Sequence, residues 1–137
     1  MLHDPHQTPE PILVVSGLTY LIPFYIAYKK GAAQEAYTCL FLSFTTVGFH
    51  GTRSEIMFAL DCVAIVNFLA RYWYLAKKSK VAYMYYFSVV YSLVSYFVGQ
   101  QYQILSFDPD WNTQMFFHSL MHLSTAYSAY LLHLESS

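Results

Sequence analysis

Five apolar runs, at about 12–28, 32–50, 56–76, 81–99 and 115–132, take up most of this chain of 137 residues, with only short polar connections between them. Each run comes close to the roughly 17 to 25 residues that a helix needs to cross the hydrocarbon layer of a bilayer. None alternates polar and apolar residues with period two, which excludes barrel strands. With 56% hydrophobic and only 11% charged side chains, the chain has too little polar surface for a soluble globule of its size. The expectation is an all-α, polytopic transmembrane bundle: a polar tail at 1–11, then one domain over 12–134 with five spans. Pro23 lies inside the first run, where a membrane helix accepts it as a kink. The tail lacks the basic start of a cleaved signal peptide, so the first run reads as a retained helix. The chain therefore reads as a multi-pass integral membrane protein, of an endomembrane or of the plasma membrane.

Charge sets the orientation. Threading five spans in order puts Lys29, Lys30, Arg71, Lys77, Lys78 and Lys80 on one side and only Arg53 on the other, beside Asp108 and Asp110. Basic residues mark the cytoplasmic side, so the N-terminus is expected outside or in a lumen and the C-terminus in the cytoplasm. Seven Lys and Arg cannot build the basic face that nucleic acid requires, so no nucleic-acid partner is expected. Cys39 and Cys62 fall within apolar runs and read as small hydrophobic residues. Arg71 reads as an interfacial anchor that snorkels, and Asn67 as a helix-packing residue. His3, His6 and His133 read as solvated residues of the tails.

Four ionisable side chains remain inside the apolar runs, where they are costly and by default functional. His118 and His122 are four residues apart and share one helical face. His50 closes the second run, and Asp61 follows it by eleven residues. At 1.5 Å per residue Asp61 is on the order of 8 Å into its span, and His118 and His122 are roughly 5 and 11 Å into theirs. All four then occupy one layer near the external or lumenal face, with Thr46 one turn before His50. Three neutral imidazoles suit zinc and leave a fourth position open. Water there becomes a nucleophile near neutral pH, and Asp61 is placed to relay its proton. A haem needs ligands on opposite faces, which His118 and His122 cannot supply from one helix.

The segment Thr46-Val-Gly-Phe-His50, Asp61 eleven residues later, and the closing His118-Ser-Leu-Met-His122 resemble the motif set of the CREST superfamily of membrane hydrolases, which includes the alkaline ceramidases and the myomaker group. The resemblance implies zinc held by His50, His118 and His122, with Asp61 and Thr46 as catalytic residues. The activity it implies is a zinc-dependent, ceramidase-like hydrolysis of a lipid amide or ester, a sphingolipid among the candidates. The alternative it carries is a myomaker-type protein that remodels or fuses membranes around a structural zinc. Members of the superfamily usually have seven spans and a serine at the place of Thr46; the chain resembles a shortened form. With an even number of spans missing, the last helix keeps its direction. The resemblance then implies a lipid chamber that is smaller, more open to lipid, or completed by another subunit, as in a homo-oligomer.

Overall fold

The computed structural model describes residues 9–136. His3, His6 and most of the expected polar tail lie outside the described residues. Among those described, all regular structure is helical and forms five rods: α1 Pro11–Lys29, α2 Ala33–Thr52, α3 Glu55–Ala76, α4 at 82–102 and α5 Trp111–Glu135. Each rod covers one of the expected runs to within a few residues. Pro11 belongs to the first turn of α1, where a residue without an N–H costs no hydrogen bond. The rod tightens to a 3-10 turn over Leu18–Tyr20 just before Pro23, because Pro23 has no N–H to offer the carbonyl one turn back. In α4 the ladder widens to a π turn over Val94–Val98. Sharp ends come from Ser54, whose hydroxyl caps α3 on the Met57 N–H, and from Asp110, which caps α5 on the Thr113 N–H.

The helices run up and down. α2 packs between α1 and α3, and α5 returns to lie against α1 and α4. Hydrogen bonds at one end of the bundle fix this order. Lys30 donates to the His133 carbonyl, the Arg71 guanidinium pairs with Glu35 (2.6 Å), and Ser79 donates to Glu135. The core around Tyr20, Leu42, Phe68, Tyr72 and Tyr85 is threaded by Ala64, Ala126 and Ala129, whose small side chains let the rods approach closely. Gly17 serves the same end between α1 and α2: a Cβ there would lie 2.7 Å from Thr46 Cγ2.

Polarity is distributed inside out. The buried face of α2 carries Glu35, Thr38, Ser43, Thr45, Thr46 and His50, while Tyr37, Leu40 and Phe44 are exposed. Likewise α5 buries Ser119, His122, Thr125 and Ser128 and exposes Phe116, Leu123 and Tyr127. Two rods, α1 and α3, are long and apolar enough to cross a membrane; α2 and α5 owe their lower mean hydropathy to those inward hydroxyls and imidazoles.

His133 departs from its expected place in a solvated tail. It sits in the last turn of α5, buried, with Nε2 2.7 Å from the Tyr72 hydroxyl, which in turn meets Cys39 Sγ at 2.9 Å. Burial of an imidazole demands such a partner, and Tyr72 supplies it from 61 residues away. Arg71 is likewise tied to Glu35 through two of its guanidinium nitrogens, not left to reach outward alone.

A tri-histidine cluster as candidate metal centre

Two helices deliver the cluster. His50 comes from the last turn of α2, and His118 and His122 from successive turns of α5. Their ring centroids are 4.9 Å (His50 to His118), 5.3 Å (His50 to His122) and 5.0 Å (His118 to His122) apart. One ligand atom from each lies within 4.8 Å of the others. Zinc bonds of 2.0–2.1 Å in a tetrahedron set the nitrogens about 3.4 Å apart, so small side-chain rotations bring these three onto one ion. The group can hold a metal ion.

Nδ1 of two rings is already engaged. Ser16 Oγ from α1 lies 2.7 Å from His122 Nδ1, and its own proton points to the Leu13 carbonyl at 3.2 Å. When the hydroxyl proton goes to Leu13, the serine oxygen accepts and His122 Nδ1 carries the hydrogen. Glu10 Oε1 lies 2.9 Å and Arg53 Nη1 3.5 Å from His50 Nδ1; an ionised carboxylate only accepts, so facing it at the shorter distance the ring carries its hydrogen on Nδ1. Both rings then offer the Nε2 lone pair as the ligand. Fixing the tautomer through the other ring nitrogen is the usual arrangement around metal-bound histidines.

Asp61 lies in the second turn of α3, and its Oδ1 accepts hydrogen bonds from Thr45 Oγ1 (2.8 Å) and Thr46 Oγ1 (2.9 Å) of α2. Thr46 stands one turn, about 5.4 Å along the axis, from His50. Hence the expected residues divide into two linked groups: the three histidines, and Asp61 with Thr46. The buried side chains at this end of the bundle include a third set that the sequence does not single out, namely Ser16, Thr45 and Glu10. Arg53 joins them, pairing with Glu10 and lying over the Phe49 ring at 4.5 Å.

Compared with known proteins, the chain matches no family model, no curated protein and no solved structure.

Proposed function

We propose that the chain is a five-span membrane protein, N-terminus outside or lumenal, whose tri-histidine centre holds zinc and hydrolyses an amide or ester bond of a bilayer lipid. Membrane residence is supported by the inverted polarity. Large side chains such as Phe44, 66% exposed, cover the outside of α2 and α5, whose insides are lined with hydroxyls, an arrangement that suits lipid as solvent. Orientation is supported by the charges, since Lys30, Arg71, Lys78 and Lys80 gather where α1 and α3 end and Arg53 stands at the opposite end.

The observation that carries the chemistry is the convergence of His50, His118 and His122 in the bundle interior, one helical turn from a residue bonded to a buried carboxylate. Zinc bound there supplies a Lewis acid for the scissile carbonyl and lowers the pKa of water toward neutrality. Asp61 takes the proton of the attacking water and returns it to the leaving nitrogen or oxygen. Thr45 and Thr46 hold Oδ1, which orients Oδ2 for that transfer. Ser16 keeps the His122 ring in the tautomer that binds.

A second reading is favoured by one detail. A carboxylate locked to two threonine hydroxyls also serves simply to join α2 to α3, as in a membrane-remodelling protein with a structural zinc. Turnover of a panel of lipid amides and esters by purified wild type and Asp61→Ala separates the two. The hydrolase reading expects turnover by wild type and a loss of roughly 10²- to 10⁴-fold in the variant, the usual contribution of a general acid or base, with zinc retained. Zinc-loaded wild type that cleaves nothing on the panel contradicts it.

A further inference from the structure

The most unusual buried charge outside the expected set is Glu10. It immediately precedes the first residue of α1 and is only 2% exposed. It is joined to His50 twice: its N–H donates to the His50 carbonyl at 2.9 Å, and its Oε1 receives the His50 Nδ1–H at 2.9 Å. The same Oε1 takes the guanidinium of Arg53. Arg53 ends α2 with φ 56°, in the left-handed region; that turn folds its side chain back over Phe49 and onto the carboxylate.

We propose that Glu10 is a positioning residue of the metal centre: its carboxylate holds the His50 ring with Nε2 toward the ion and screens the ion from Arg53. This rests on the metal reading above. Two arguments lead to it. A carboxylate on Nδ1 makes the imidazole a stronger ligand and fixes its rotation, an effect a serine hydroxyl gives more weakly. In addition, a dication beside a buried guanidinium is a like-charge pair in a medium of low dielectric, and the carboxylate between them offsets that repulsion. The residue that opens the first helix thereby becomes part of the centre formed by the second and fifth.

The test uses full-length wild type, Glu10→Gln and Glu10→Ala in detergent, with zinc affinity measured by chelator competition and the ligand field read from the cobalt(II) absorption spectrum. Glu10→Ala is expected to bind zinc about 10- to 100-fold more weakly, the range typical of lost outer partners of metal ligands. Glu10→Gln keeps the shape and one acceptor oxygen, so it serves where the alanine variant does not fold. It is expected to lose affinity to a smaller extent and to change the cobalt(II) bands. A purely structural role for Glu10 leaves the cobalt(II) spectrum of Glu10→Gln as in wild type. Wild-type affinity and spectrum in Glu10→Gln, or wild-type affinity in folded Glu10→Ala, overturn the assignment while leaving the metal centre standing. A wild type that holds no zinc overturns the centre and the assignment together.

Discussion

At the scale of single residues, the centre depends on which nitrogen of each imidazole is free. Ser16 Oγ meets His122 Nδ1 at 2.7 Å, so Ser16→Ala removes that hydrogen-bond partner without removing a ligand. The expected outcome is weaker zinc binding with unchanged stoichiometry, read by chelator competition; unchanged affinity would show that the His122 ring is held by packing alone. At the far end of the bundle the Cys39, Tyr72 and His133 side chains form a buried chain. Tyr72→Phe strips two buried groups of a partner at once and should destabilise the fold by about 1–3 kcal/mol for each group left unsatisfied, measured by thermal unfolding in detergent, without touching metal content. Residues of this kind were only half legible in the sequence. His50, Asp61, His118 and His122 are conspicuous because an ionisable group in an apolar run has few other reasons to be there. Ser16 and Thr45 are two among many small hydroxyl residues, and Glu10 sits in a stretch that reads as solvated tail. Their partners are 106, 16 and 40 residues away, and local pattern carries no information about such separations.

At the scale of elements, the close approach of α1 to α2 helps hold the centre, since α1 carries Ser16 against His122 and α2 carries Thr46 and His50. Gly17 permits that approach. Gly17→Ala forces a methyl into Thr46 and should cost about 1–3 kcal/mol, as overpacking generally does; it should also weaken zinc binding by spreading α1 from α2. Thermal unfolding and zinc titration of one preparation check both. The last helix depends on its cap. Asp110 is held below the usual aspartate value by the N–H and hydroxyl of Thr113. A depressed carboxyl stabilises the folded helix fully above the ordinary value of 3.8 and loses that contribution as pH falls through the folded value. Wild-type α5 should therefore become less stable on acidification below that point, whereas Asp110→Ala should be less stable at neutral pH and lack this component of the acid response. The helix bounds were legible to within a few residues because apolar runs and polar punctuation coincide, with Lys29 and Lys30 after the first; the opening turn of α5 at 111–114 was not, since its polar residues precede the apolar run. The π turn at Val94–Val98 had no signal, since it widens a ladder within a run that is apolar throughout.

At the scale of the whole molecule, the bundle joins an apolar exterior to an interior that mixes an aromatic core with the buried hydroxyls and imidazoles of α2 and α5, and collects all its basic residues but Arg53 at one end. The proposed topology has a direct expectation: an N-terminal tag accessible from outside or from the lumen, and a C-terminal tag accessible only from the cytoplasm, in selectively permeabilised cells. Both tags on one side would require an even number of spans and would contradict the five-span topology. Composition made the helical class legible, while the way α5 returns between α1 and α4 was not, because ordered threading alone does not say which rods touch. The centre exists only through that return. Metal analysis of purified wild type and His118→Ala therefore tests the account most directly: about one zinc per chain is expected in wild type, as for a three-histidine site, and little or none in the variant. A wild type that purifies without zinc and takes none up on titration would contradict it.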